Sequence, residues 1–425
     1  MSTPLLFRTP PETLGLTAET AQEQFSRSRL GTSGQPRGAV LLGGAHGALA
    51  LARSLGTIGV PVHLVTSDNP LPKLSRHIRQ SLPWPGAADR NAVQYLIELA
   101  RKHDLQGFML VPCADAEVRM VAEARALLSQ VFTVMLPDWE QLRWAGDKGM
   151  AYQRATELGL AVPETFPITS YAEAQTVKLR FPVVLKPTMR LGINRFTAEK
   201  AWRADTQEQF LALYREAASL VGESRIVVQE LVPGGGQSQL SYAGLWANGT
   251  EILGFSARRT RQYPLEFSYT STFVELVDDR ETLEAARRFL QSINHHGLVE
   301  VEFKRDHRDN KLKLLDINPR PWSWFGITQT MSIDMGVLLW AVACGSTEPF
   351  GVPTGKASWM YLLRDAVSAT QLIRRGELSL GAYLHSLRGP KAWGAFSLTD
   401  PLPGLLDLPL LAWRLLGRRL FGRQQ

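Results

Sequence analysis
Residues 298–320, LVEVEFKRDHRDNKLKLLDINPR, constrain this chain more than any other stretch, because they specify two short strands with chemistry on one side. Val299, Val301 and Phe303 alternate with Glu300, Glu302 and Lys304, so the first strand sends its carboxylates to one face. The intervening RDHRDN is rich in turn residues. On the second strand Leu312, Leu314, Asp316, Asn318 and Arg320 share a face if the chain stays extended, and Pro319 favours that by disfavouring helical angles at Asn318. The expected product is a surface bearing Glu302, Asp316 and Asn318, with the Arg320 guanidinium beside them. Oxygen ligands of this kind suit Mg²⁺ (or Mn²⁺), which protein sites hold through one or two carboxylates plus substrate phosphates. A solvated hairpin accounts for the loop but not for an Asp-x-Asn-x-Arg run closing an apolar strand.

Three upstream segments add to this. LPDWEQLRWAGDKGMAYQRATELGLAVPETF sets Asp147 and Lys148 at the start of a helix, with Asp147 as N-cap or first-turn residue and Gly159 as its stop. FPVVLKP ends a buried strand in Lys186, and RIVVQELVPGGG is a strand running into a glycine turn. In this order across residues 137–326, the four motifs resemble the ATP-grasp superfamily, in particular the ATP-dependent carboligases, or carboxylate–amine ligases. RRTRQYP at 258–264 and the Trp after NPRP look most like that group. D-alanine–D-alanine ligase and carbamoyl phosphate synthetase are more distant cousins.

The resemblance implies an α/β chain: a Rossmann-like domain at 37–136, an α+β ATP-grasp domain at 137–345 with a lid at about 165–230, and a C-terminal extension at 346–425. The βαβ reading of the first domain rests on AVLLGG, GALALARSLGTIG and VPVHLVTSD, continued by FMLVPCADAE and FTVMLP. Its Gly43-Gly44-Ala45-His46-Gly47 turn departs from G-x-G-x-x-G, and Asp68 downstream does not rescue a nicotinamide site. Residues 1–36 read as a polar extension with at most one helix around 17–29.

The same resemblance implies roles for single residues. Lys148 and Lys186 would contact ATP phosphates, and Gln229, Glu230 and Leu231 would form the hinge that reads adenine through its backbone. Relatives place an acid beyond the hinge to hold the ribose; here the stretch is GGGQSQ, so Gln237 is the candidate. The lid loop PTMRLGINRFT is poor in glycine, leaving Arg190 and Arg195 as stand-ins for backbone amides. At least one of Arg258, Arg259 and Arg261 should stabilise the transferring phosphoryl group or grip the acid, with Arg258 and Arg261 as leading candidates beside Arg320. The bland alternative is a basic edge strand. Trp322, Trp324 and Phe325 either wall an acceptor pocket or pack a core, and His295 and His296 diverge as neighbours rather than pairing on a metal.

The expected reaction joins a small-molecule carboxylate to an amine with ATP; a non-catalytic ATP-binding scaffold is the alternative. Composition agrees: 44% apolar and 20% charged residues describe an ordinary globular chain, and a dispersed net charge of +7 gives no nucleic-acid stripe. Cys113 and Cys344 are too few for a disulfide framework or a cysteine zinc site. With no secretory pattern and no membrane-length apolar run, the cytoplasm is expected. The basic, apolar tail LLDLPLLAWRLLGRRLFGR is read as packing on the protein, with an anionic membrane surface as the other option.

Overall fold
The computed structural model describes residues 35–67, 71–188, 194–198, 201–265, 270–331, 333–346, 356–389 and 391–410. The expected helix at 17–29, Asp68, Arg190 and most of the basic tail lie outside them. Strands β1 (Ala39–Leu42), β2 (Val62–Thr66), β3 (Ile78–Pro83), β4 (Met109–Pro112) and β5 (Thr133–Val134) form a parallel sheet in the order β3-β2-β1-β4-β5. All four residues of β1 are buried, as a parallel strand covered on both faces must be. Ala39 and Leu41 pack with Ala48, Leu51 and Leu55 of helix His46–Thr57, whereas Val40 and Leu42 meet Leu96 and Val121 on the opposite face.

A four-stranded sheet comes next, with β6 (Thr165–Phe166), β7 (Val183–Pro187), β8 (Trp202–Ala204) and β9 (Ile226–Glu230) in the order β6-β9-β7-β8. Val183, Leu185, Ile226 and Val228 pack against Phe210 and Tyr214 of helix Gln207–Val221. Strand alternation then turns Val184, Lys186, Val227 and Gln229 to the other face.

The largest sheet contains β10 (Gln239–Ala247), β11 (Thr250–Tyr263), β12 (Thr270–Val277), β13 (Gly297–Arg305), β14 (Leu312–Asn318), β15 (Ser358–Met360) and β16 (Lys391–Trp393), ordered β14-β13-β10-β11-β12-β15-β16. Its one face packs Tyr242, Val299, Val301 and Phe303 on Leu283, Ala286 and Phe289 of helix Arg280–Ser292. Its other face contributes Ala243, Leu245, Phe255 and Ala257 to the same core as helix His46–Thr57. The first sheet and the largest sheet therefore share one core through that helix. The region after residue 345 is likewise no mere appendage, since β15 and β16 extend the largest sheet at β12.

Candidate active site
The β13–β14 hairpin forms as its turn residues require, but the expected common face for Leu312, Leu314, Asp316 and Asn318 does not. Glu302 pairs with Asp316 and Phe303 with Leu314, so Leu315 is an extra residue in β14. This bulge reverses the phase of the strand. Leu312 and Leu314 enter the core beside Phe303, while Asp316 and Asn318 stand opposite Glu302 and Glu300 on the other face. The bulge also frees the Leu315 carbonyl, which accepts the Tyr152 hydroxyl at 2.8 Å.

Cations surround this oxygen face. Asp147 caps helix Lys148–Glu157 by accepting the Met150 N–H at 3.0 Å, which fixes Lys148 in the first helical position. The Lys148 ammonium pairs with Asp316; burial works to lower its pKa, but Asp316, Tyr152 and Glu302 outweigh that and the net shift is upward. Asn318 Nδ2 donates to Glu302 at 3.1 Å and to Glu300 at 3.3 Å. Arg320 pairs with Asp115, at the start of helix Asp115–Glu123, which packs on the first sheet, and donates to Asn318 Oδ1 at 3.3 Å. Burial opposes the charge on Arg320, yet Asp115, Glu300 and Asp316 raise its pKa.

Glu300 is an acid that the motif reading left without a role. It is buried and accepts Trp324 Nε1 at 2.8 Å and Ser241 Oγ at 3.1 Å. Burial, then the nearby Glu302 charge, pushes its pKa up to about 7. Among the described residues no three His, Cys, Asp or Glu side chains form a cluster able to hold an ion. The oxygen set is two carboxylates completed by an amide, which fits a hard cation that keeps waters and phosphate oxygens in its shell.

The arginines of β11 sort by face. Register places Arg258 beside Leu240, on the side of the helix-covered core, and Arg258 Nε has no hydrogen-bond partner among the described residues. Arg261 lies beyond a bulge, pairs in register with Phe273, and holds buried Asp365 through two bonds of 2.9 Å. Neither leading candidate reaches the oxygen face. Arg259 does: it pairs with Glu302 and donates to Ser271 Oγ at 2.7 Å. Alternation from Ala257 turns Arg259 to this face but would turn Arg261 there too, and the register shifts around Arg261 are set by the partner strand.

The four-stranded sheet turns Lys186 and Gln229 toward this cluster. Lys186 Nζ donates to Gln229 Oε1 at 3.1 Å, and Gln229 lies within hydrogen-bonding reach of Tyr152. Glu230, one residue on, points the other way. It accepts Lys313 Nζ and an Arg308 nitrogen at 2.5 Å each, and both cations also hold Asp306. Burial works to raise the Glu230 pKa, but these donors and the Glu164 N–H lower it overall. This network lines a polar cavity of about 460 Å³ with Ala161, Val162, Glu164 and Arg180.

The backbone donors expected at the hinge are already engaged. Glu230 N–H bonds Glu164 O at 2.9 Å and Leu231 N–H bonds Pro182 O at 3.1 Å. Val232 N–H is the first beyond β9 with no backbone acceptor among the described residues. Gln237 is exposed, whereas Gln239, at the start of β10, shares the face of Ser241 and has a buried Oε1 with no hydrogen-bond partner among the described residues. Close packing at Gly236 sets that turn, since a Cβ there would sit 2.3 Å from Thr260 O. Arg195 leaves the cleft to pair with Glu216 at 2.5 Å, stacked on Trp202. Trp322, Trp324 and Phe325 are wholly buried in the shared core and so cannot wall an open pocket. His295 is buried and His296 Nδ1 accepts the Asn248 N–H at 3.2 Å, so the two do diverge.

No protein-family model matches the chain. It is 22% identical over 298 residues to a D-aspartate ligase of Enterococcus faecium (strain Aus0004), covering 66% of this chain and 70% of that one. Among solved structures it resembles the biotin carboxylase domain of Hydrogenobacter thermophilus 2-oxoglutarate carboxylase, solved with MgADP and bicarbonate, at a TM-score of 0.59, 13% identity and coverage of 75% and 73%. An L-amino acid ligase from Bacillus licheniformis gives the same TM-score, 0.59, at 14% identity, covering 76% of this chain and 80% of that one. At these identities the structural likeness establishes a common fold.

Proposed function
We propose that this chain, which has the ATP-grasp fold, is an ADP-forming ligase that activates a substrate carboxylate as its acyl phosphate and joins it to an amine. One observation carries the reading: Lys186 and Gln229 of the four-stranded sheet face Lys148 and Tyr152 of helix Lys148–Glu157 and Asp316, Glu302 and Asn318 of the largest sheet, with Arg259 and Arg320 at the same oxygens. Phosphoryl transfer needs positioned charge more than it needs a covalent nucleophile.

In this reading ATP lies between the two sheets. Val232 N–H reads the adenine edge, Gln239 takes the ribose hydroxyl in place of Gln237, and Lys148 and Lys186 hold phosphates. Glu302, Asp316 and Asn318 would hold Mg²⁺, which would supply charge neutralisation at the phosphates. A carboxylate oxygen of the substrate attacks the γ-phosphorus and ADP departs; the amine nitrogen then attacks the acyl carbon, expelling phosphate and releasing a proton. Arg259 and Arg320 are placed to stabilise the reacting oxyanions, because a guanidinium forks onto such groups. The four-stranded sheet would shield the acyl phosphate from water by closing. Amino-acid carboxylates are the first acids to test, given the D-aspartate and L-amino acid ligases among the similar proteins.

The test is an ADP-release screen of amino acids with and without amine, plus hydroxylamine to trap the acyl phosphate. Hydroxamate should accumulate with ADP when the right acid is present and the amine absent, and Lys186→Ala should suppress both. Release of AMP and pyrophosphate would replace this mechanism with adenylate chemistry.

A further inference from the structure
The chain leaves helix Lys148–Glu157 for the four-stranded sheet through residues 158–164 and returns to the largest sheet through residues 231–238. One side chain ties both crossings to the β13–β14 hairpin. Glu230 Oε1 accepts the Glu164 N–H at 3.0 Å on the outgoing crossing, and the Glu230 N–H donates to Glu164 O at 2.9 Å. The same carboxylate binds Lys313 of β14 and Arg308 of the hairpin turn. Asp306 binds both cations in turn, Lys313 at 2.9 Å and Arg308 Nε at 2.9 Å. The turn itself is fixed, since Asp306 N–H bonds Lys311 O at 2.9 Å and the Asp306 carboxylate accepts the Arg308 N–H at 3.0 Å. Ala161 O adds a further tie by accepting the Leu314 N–H at 2.9 Å.

These charges are withdrawn from water: the side chains of Glu230, Lys313 and Asp306 are 10%, 9% and 0% exposed. Apolar side chains of similar size would fill the same space at no greater cost, so packing alone does not call for an ion network; what the network adds is one defined geometry. Alternation along β9 turns the Glu230 side chain away from Gln229, and so away from Lys186 and the oxygen cluster. Its backbone, however, lies between Gln229 and Val232, whose N–H has no backbone acceptor among the described residues. We propose that Glu230, held by Lys313 and Arg308, is a positioning residue that fixes the Val232 N–H relative to the largest sheet and thereby gives the site its preference for adenine. The inference rests on the placement of ATP between the two sheets. Adenine offers a ring nitrogen as acceptor where guanine carries an N–H, so a donor held in one place favours the first base and opposes the second. A donor free to shift loses that discrimination.

Calorimetric titration of the full chain with MgATP and with MgGTP tests this. The wild type should bind MgATP more tightly than MgGTP. Glu230→Gln and Lys313→Met should each weaken MgATP about tenfold, the worth of one hydrogen bond, and leave MgGTP as it was. Lys313→Arg keeps the cation and should keep the preference. Arg308→Gln alters a half-exposed side chain that the fold tolerates more readily, so it reads the same network if the buried variants do not fold; a loss of about threefold for MgATP alone is expected. A purely structural role would lower the urea midpoint and change both nucleotides equally, or neither. The inference alone is overturned if the wild type binds MgATP but shows no preference over MgGTP, or if the folded variants retain the preference or lose both nucleotides equally. A wild type that binds no MgATP overturns the ATP reading and this inference with it.

Discussion

Replacing Arg261 by Met leaves the Asp365 carboxylate, 0% exposed, without the guanidinium that gives it two hydrogen bonds of 2.9 Å. Removing one member of a buried ion pair costs about 3–5 kcal/mol, because the survivor stays desolvated and unpaired. The same guanidinium lies 4.2 Å above Phe273 and 5.4 Å from the Tyr383 ring, contacts that add about 0.5–1 kcal/mol each. The methionine stem retains part of that packing, so a net loss of about 4 kcal/mol is expected, at the upper end for a single substitution. Urea unfolding followed by tryptophan fluorescence measures it, with Asp365→Leu and the double variant completing a cycle. The double variant should recover most of the loss, since an apolar pair often replaces a buried ion pair at little cost. Per folded molecule, catalytic turnover should be unchanged. A wild-type urea midpoint combined with a hundredfold loss of turnover would return Arg261 to the reacting groups and refute this assignment.

Asp316→Ala should reduce ADP release about a hundredfold and raise the Mg²⁺ concentration for half-maximal rate, as loss of a positioned charge at the phosphates implies; a wild-type Mg²⁺ titration would remove the metal assignment. Val232→Pro deletes the N–H assigned to adenine, so MgATP should no longer raise the thermal midpoint of the folded protein. Retention of the shift would mean that adenine sits elsewhere. Asp306 is held well below its ordinary value of 3.8, first by Arg308, so the stability it contributes is present above that value and lost as pH falls beneath it. Asp306→Asn should therefore flatten the acid limb of the stability–pH curve below about pH 4, and an unchanged limb would show the network is not coupled to folding.

The hairpin, the capped lysine helix and the strand ending at Lys186 were legible because each is local: turn residues, an N-cap and an apolar run state them within a dozen positions. The bulge at Leu315 was not, since an extra residue is defined by its partner strand, and it decided which side Asp316 took. Arg258, Arg259 and Arg261 show the same limit. Their residue type announced oxyanion chemistry, but Asp365 lies 104 positions from Arg261 and gives no sign in sequence of claiming it. Glu230 has the shape of a hinge residue in VVQELV, yet Lys313 and Arg308 engage it from another sheet. The backbone N–H groups of Glu230 and Leu231 are thus taken up by Glu164 and Pro182, and the donor proposed for adenine moves one residue on, to Val232, through pairings that composition does not encode.

The placement of β15 and β16 has a consequence for how the chain emerges during synthesis. The outer edge of β12 meets its neighbour only when Ser358–Met360 arrives, and Trp359 fills a core already holding Phe255 and Trp324. Until some forty further residues have followed β14, a nascent chain presents a bare strand edge beside unfilled apolar volume, the combination most prone to association. A fragment cut at residue 345, where the sequence suggests a boundary, would make that transient condition permanent. Such a fragment is expected to aggregate, and its inactivity would report on a missing strand and not on a missing catalytic group.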